Sequence, residues 1–513
     1  MYLYSMRVCL WHGWLLEGSG SNVYTAKITE ILRRQGHDVL LICQQPDPER
    51  FDFIDAAGTV DANGVSELKP TGAPPAAGQA VFLRPEIGPL LPVFVDEYSE
   101  LEVKRFPDLS EEELGSYLAR NVDALRAAVD WHGAEATIVG HAVAGPAIAY
   151  RALGAGRYVA KLHGSDLEYA VRLQDRYREL AAEGLEPATA VVGTSDDVIA
   201  RAIALIPGIG DHVVKIAPGV EVDRFRPMPR REALTQLAER LREDPETERG
   251  RPDDLDSAVA EALRGHDAAA LDALSHRYDQ TTPDPATGER MMALRGFEGP
   301  LVGYFGKLIL QKGVERLIEA VARLPLEVRG TVVGFGRFRE WLQALVLAID
   351  GRDTDTLRWL ADASGMELEI EVLPSKSVGL ADRMTFTGLL DHRYAPLALA
   401  ALDVQVVPST LAEAFGMVAA EGASAGALPV VARHSGLAEV ATALESAIAR
   451  PGLLSFEPGP GATVRLVAAI ERILAIRAEE RMEMRAAVSA FVAREWTWER
   501  TAERLLATVG GGS

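Results

Sequence analysis

Cysteine is almost absent from this 513-residue chain: Cys9 and Cys43 are the two that occur, both inside apolar, strand-like runs and without metal-ligand spacing. A disulfide framework is therefore not expected, and two reduced core thiols suit a cytoplasmic protein. Basic charge is short as well. The 53 Lys and Arg stand against 74 Asp and Glu, a net charge of −21, which opposes nucleic-acid backbones and anionic membrane surfaces as primary partners. Long apolar runs are missing too: nothing approaches a membrane-spanning length, so no integral membrane segment is expected. The opening MYLYSMRVCLW has no apolar run bounded by a small-residue cleavage site and reads as a poor signal peptide.

What is present is apolar material for several cores. Hydrophobic residues make up 48% of the chain, and its length fits about three domains. The most informative stretch is Leu411 to Ala432, LAEAFGMVAAEGASAGALPVVA, in which the ionisable side chains are Glu413 and Glu421. A helix with so little polar surface is expected to be buried along most of its length. Carboxylates there are costly unless hydrogen-bond donors meet them. Val404 to Val407 reads as the strand before it and Leu428 to Ala432 as the strand after it, so the stretch predicts the βαβ unit of a parallel sheet. Glu413 then falls in the loop at the carboxyl end of a strand, where open α/β sheets bind ligands, and Glu421 about two turns into the helix.

The same grammar recurs along the chain. Met6 to Trp11 predicts a first strand, followed by the loop Gly18-Ser19-Gly20-Ser21-Asn22 and a helix with Tyr24, Ile28, Ile31 and Leu32 on one face. Bare amides at such a turn suit a phosphate or a sugar. Ser110-Glu111-Glu112-Glu113 fits a helix-opening capping box. The strand Tyr158 to Leu162 runs into His163-Gly164-Ser165-Asp166, placing His163 and Asp166 where a strand gives way to a loop. A ligand contact and a satisfied structural histidine are both open for His163, as are a ligand contact and a helix cap for Asp166. Met228 to Arg295 changes character, with interleaved charges and helical stretches such as Leu255 to Leu274. It is too long for a linker and reads as an insertion whose simplest role is a solvated face or an oligomer contact. After it, the strand Leu301 to Phe305 exits through Gly306-Lys307-Leu308 to Gln311-Lys312-Gly313. Two lysines at a strand's carboxyl end, near a helix N-terminus, suit a diphosphate. Arg339 to about Gly379 is longer than a helix and loop require, which suggests a second, smaller insertion.

E-A-F-G-M-V-A-A-E, followed by G-A-S-A-G-A-L-P-V-V-A, resembles the signature of the retaining GT-B glycosyltransferases of glycosyltransferase family 4. Gly306-Lys307-Leu308 through Lys312-Gly313 is similar to that family's G-R-L-x-x-x-K-G, with Lys307 in place of Arg; V-E-V-D-R-F-R-P is similar to its linker between domains. The resemblance implies an α/β fold of two Rossmann-like, doubly wound parallel-sheet domains facing a cleft. The expected boundaries are 1–227 for an acceptor-side domain, 228–297 for a helical insertion at the hinge and 298–490 for a donor domain, with a crossover helix at about 491–513. It implies transfer of a hexosyl group from a nucleotide sugar, a UDP-sugar first and GDP-mannose second, to a small-molecule, glycan or lipid-linked acceptor. In that frame Lys307 and Lys312 hold the diphosphate, Glu413 and His163 meet the sugar, and Glu421 meets the ribose. Gly18, Gly20, Asp166, Gly306 and the Phe415, Gly416 and Met417 amides line the donor. No Asp-x-Asp is placed to bridge a metal, so no metal and no resident cofactor are expected. A GT-B phosphorylase and a non-catalytic sugar-nucleotide sensor remain as alternatives, and a homo-oligomer is compatible with either.

Overall fold

The computed structural model describes residues 5–94, 102–369 and 377–510, and its contacts divide the chain into two compact units. Residues 1–219 with 498–513 form the first, and Val220–Thr497 the second. Among the described residues no helix is long and apolar enough to cross a membrane.

The first unit is built on a nine-stranded sheet. Its central strand Arg7–Trp11 pairs in parallel with Asp38–Ile42 on one side and Ala136–Gly140 on the other. From the first neighbour the order continues through Gln79–Pro85 and Ala56–Asp61 to the antiparallel Gly64–Pro70; from the second, through Val159–Lys161 and Ala190–Gly193 to Val213–Lys215. The central strands are aliphatic on both faces because helices cover both. Cys9 and Cys43 are buried and free. Ser110 opens the helix Glu111–His132 with both hydrogen bonds of the capping box. The strand order reverses between Arg7–Trp11 and Ala136–Gly140, which puts the loops after these strands at a topological switch point.

The second unit carries a six-stranded, wholly parallel sheet in the order Met384–Phe386, Arg329–Phe335, Leu301–Lys307, Val404–Val407, Leu428–Ala432, Ser455–Phe456. Its switch point lies between Leu301–Lys307 and Val404–Val407. The segment 228–297 is part of this unit: helices Arg230–Glu243, Leu255–Arg264, Ala268–Leu274 and Thr287–Leu294 bury Leu237, Leu241, Val259, Leu271 and Met291. Helices Arg339–Asp350 and Thr354–Ser364 fill most of the second predicted insertion, of which 370–376 lie outside the described residues.

The crossover differs from the expected position. Residues 491–495 complete the helix Ala478–Glu495 of the second unit, and the chain changes unit between Thr497 and Trp498. Two tryptophans flank that point. Trp496 packs edge-on against Phe415 (5.1 Å) and Phe491 (5.0 Å), whereas Trp498 packs on Tyr24 (5.5 Å) in the first unit.

Candidate functional site

In the second unit the predicted residues converge on the switch point. The strand Leu301–Lys307 ends at an exposed Lys307, and a short 3-10 turn, Leu310–Lys312, follows. Gly313 then adopts φ +67°, where a Cβ would stand 2.3 Å from the Pro408 carbonyl, so the two loops meet backbone to backbone. The Gln311 carbonyl accepts from the Thr410 amide at 2.8 Å and from its hydroxyl at 3.1 Å. This stitching brings the Lys312 ammonium onto the Glu413 carboxylate as an ion pair. Beneath it the Tyr304 hydroxyl donates to the Lys307 carbonyl at 2.7 Å and fixes the strand's exit through Gly306.

Gly416 has φ +107°, left-handed backbone that favours glycine, and it launches the helix Met417–Ser424. The Met417 and Val418 amides, at the first positions of that helix, have no intrahelical partner by geometry and face whatever lies beyond its N-terminus. Phe415 enters this site through its backbone alone, since its ring is buried against Trp496. The motif Ser435-Gly436 closes the loop from behind. The Gly436 amide donates to the Glu413 carbonyl at 3.0 Å, and a Cβ at Gly436 would lie 2.6 Å from the Phe415 Cα.

Glu421 is 6% exposed, and among the described residues its carboxylate takes no hydrogen bond. Burial pushes its pKa up to about 7, with His392 pulling it down and Glu221 pushing it further up. Neither neighbour was anticipated. His392 Nδ1 lies 3.1 Å from Glu221 Oε2, and its ring stands edge-on to Phe225 at 5.5 Å. No periodicity or spacing links positions 221, 392 and 421; the fold alone collects them.

In the first unit Gly18 (φ +91°) and Gly20 leave the loop before the helix Gly20–Arg34 open, with nothing within 4 Å of an added Cβ at either. His163 is half-buried behind that helix, its ring 5.4 Å from Tyr24 and 4.6 Å from His141. Burial, the Lys161 charge and the imidazoles of His141 and His12 hold its pKa well below the usual histidine range, so the ring is neutral. Lys161 is itself buried, its ammonium donating to the Leu162 carbonyl at 2.7 Å and lying 4.9 Å from the Tyr24 ring centre; burial lowers its pKa to about 7. His12 hydrogen-bonds Asn22 Oδ1 through Nε2 at 2.9 Å, and burial lowers its pKa to about 4. His12 and His141 each follow an apolar strand directly, as His163 nearly does, and that shared position is the signal that could have found them.

Asp166 takes the helix-cap alternative. It is fully buried, and its carboxylate accepts from the amides of Ala142, Gly164 (2.8 Å) and Leu167 (3.0 Å), which braces the His141 and His163 loops against each other. With its oxygens occupied in this way, a donor contact is replaced by a positioning role.

Two family models match the chain: "Glycosyl transferase 4-like domain" over residues 19–219 and "Glycosyl transferases group 1" over residues 295–489. Residues 220–294 fall in neither. Among curated relatives, 2-deoxystreptamine glucosyltransferase of Streptomyces kanamyceticus is 29% identical over 42% of this chain and 46% of its own length. A GDP-mannose-dependent alpha-(1-6)-phosphatidylinositol monomannoside mannosyltransferase of Mycobacterium tuberculosis is 28% identical over 44% of this chain and 52% of its own. The chain thus spans about half the length of the curated relatives it matches. Among solved structures, sucrose-phosphate synthase of Thermosynechococcus elongatus is similar with a TM-score of 0.57 at 18% identity, over 99% of this chain and 100% of that one. HepE of Anabaena, in complex with UDP and glucose, gives 0.56 at 14% over 98% and 99%. These last two share the fold.

Proposed function

The chain belongs to the glycosyl transferases group 1 family, with the GT-B fold, and from that premise we propose that it is a retaining glycosyltransferase. It moves a hexosyl group from a nucleoside-diphosphate sugar to a hydroxyl acceptor. The observation that carries this reading is the convergence at the second unit's switch point of Lys307, Lys312, Glu413, the Met417 end of a helix and the unsatisfied Glu421. The lysines and the helix N-terminus suit a diphosphate, and Glu421 suits a ribose diol, which brings two hydroxyl donors to a carboxylate that lacks them.

In the reaction the bond from the anomeric carbon to the diphosphate oxygen breaks while the acceptor oxygen bonds to that carbon from the same face. The acceptor's proton passes to the departing phosphate oxygen. Lys307 and Lys312 stabilise the charge that grows on the leaving group, the electrostatic contribution that is usually largest. Glu413, released from Lys312 as the diphosphate takes up that ammonium, accepts from sugar hydroxyls. No metal is needed while two ammonium groups and helix amides face the diphosphate.

A UDP-sugar is the first donor to try, on the glucosyltransferase relative and the UDP-bound HepE, and GDP-mannose the second, on the mannosyltransferase. Melting temperatures with UDP, GDP, ADP and dTDP and their sugar conjugates, each with a chelator, test the reading. A ligand at about a hundred times its dissociation constant stabilises by roughly 2.7 kcal/mol. Stabilisation by one nucleotide family, lost in Lys312→Ala and Glu421→Gln, is the expected result. Stabilisation by none, or transfer within a few-fold of the parent in Glu413→Gln, overturns it.

A further inference from the structure

The charged segment 228–297 is the part of the chain that this reaction leaves unused. Its ends meet at the amino end of the second sheet. Arg230 donates to the carbonyls of Phe297 (3.2 Å) and Gly299 (2.8 Å) and pairs with Asp403, which accepts from the Leu301 amide at 2.9 Å where that strand begins. Residues 282–287 reach the opposite, carboxyl end. There Pro283 bridges Gly388 in antiparallel fashion, just past the edge strand Met384–Phe386. The Asp284 amide donates to the Thr387 carbonyl at 2.8 Å, the Leu389 amide to the Thr282 carbonyl at 3.2 Å, and the Thr287 hydroxyl to the Thr387 carbonyl at 2.8 Å. A second tie follows a few residues on: the Tyr394 hydroxyl donates to the Asp244 carboxylate, and Arg240 to the Arg393 carbonyl at 3.0 Å.

The segment is itself rigidly anchored. Arg251, 1% exposed, pairs with Glu340 at 2.8 Å, and the Tyr278 hydroxyl donates to the same carboxylate at 2.8 Å. A buried pair of this kind is costly to break, because either partner left alone is an uncompensated charge. So 387–394 is tied at both ends to a fixed support, and between the ties stands His392, held to Glu221 and beside the unsatisfied Glu421.

We propose that segment 228–297 is a brace for the donor's nucleoside: by fixing 387–394 it presents the His392 imidazole, beside Glu421, to the nucleoside whose ribose Glu421 receives. This rests on the donor reading of Glu421. Thr287 and Tyr394 are positioning residues that act through His392. The brace bears on the nucleoside and leaves the diphosphate to the lysines, which separates it from a general effect on folding.

The test is a double-mutant cycle read by calorimetry with UDP and UMP, or GDP and GMP if those are the nucleotides bound. Thr287→Val with Tyr394→Phe is expected to weaken diphosphate and monophosphate alike by about 5- to 10-fold, the worth of one or two hydrogen bonds. Donor KM rises by the same factor, with kcat within about twofold. In a His392→Ala background the pair costs nothing further, and Thr287→Ser with Tyr394 intact restores the parent's affinity. Equal losses with and without His392, or an unchanged affinity in a variant that melts like the parent, overturn the brace. If the double variant does not fold, Tyr394→Phe alone, which removes one hydroxyl, carries the same comparison. If Glu421→Gln abolishes nucleotide binding while the brace variants leave it intact, the donor reading stands and the brace falls. If the parent binds no nucleotide, both fall.

Discussion

Replacing Glu421 with glutamine separates what this carboxylate does for ligand from what it costs the fold. Burial raises its pKa from the ordinary glutamate value of 4.5 to about 7, outweighing the attraction of His392. A carboxyl with a raised pKa keeps its proton in the folded state after the unfolded chain has lost it. Between about pH 4.5 and 7 the folded state therefore binds more protons, and stability falls as pH rises through that window. At 1.36 kcal/mol per unit, the penalty is fully present above pH 7 and amounts to ~3 kcal/mol. Glutamine has nearly the same shape and no charge to desolvate. Glu421→Gln should match the parent in urea midpoint near pH 5 and exceed it at pH 8, while losing stabilisation by nucleoside diphosphate. Glu315, whose pKa burial also raises to about 7, titrates in both proteins and cancels in the difference. A midpoint difference that is the same at pH 5 and pH 8 would refute the reasoning, since it leaves no titrating penalty to remove.

Lys312→Ala strips Glu413 of its cation; on the proposed reading, donor kcat/KM should fall by about 100-fold or more in a standard transfer assay, as for loss of one electrostatic contact to a leaving group. Gly313→Ala forces a Cβ against the Pro408 carbonyl at positive φ and should lower the melting temperature along with donor affinity, at a cost of roughly 1–3 kcal/mol. Lys161→Met removes one of the charges that depress His163. Its imidazole pKa, followed by NMR, should rise and still stay below the ordinary value, because burial is the larger cause. No rise would mean that the Lys161 ammonium is already neutral at the pH of the experiment.

The parallel architecture was legible because strand ends carry recognisable chemistry. Apolar runs such as Leu428 to Ala432 admit a buried strand, and Gly416 before a run of small residues admits a close helix start. The same local logic placed Lys307, Lys312 and Glu413 after strand ends and Glu421 within the helix that follows. It stopped at contacts between elements far apart in sequence. Nothing near Asp166 says that its carboxylate will be filled by the Ala142 amide from a different strand's exit. Glu221 and His392 meet across 171 residues without a shared period. The segment 228–297 read as a solvated face because its charges interleave, yet Arg251 and Glu340 bury theirs against each other, a pairing that composition does not reveal. The crossover was misplaced for a related reason. Phe491, Trp496 and Trp498 form one aromatic cluster on paper, and only packing partners divide them.

That division governs the order in which the protein can be made. The first unit needs the helix that begins at Trp498, since it covers Tyr24, and this helix leaves the ribosome only after the whole of the second unit. Residues 220–497 are synthesised in between, which takes roughly tens of seconds at the usual pace. The second unit can therefore close while the first is still missing a piece, so the unit whose synthesis starts before the other is completed after it. A stop codon at Trp498 leaves the Tyr24 face bare and a complete second unit attached to it.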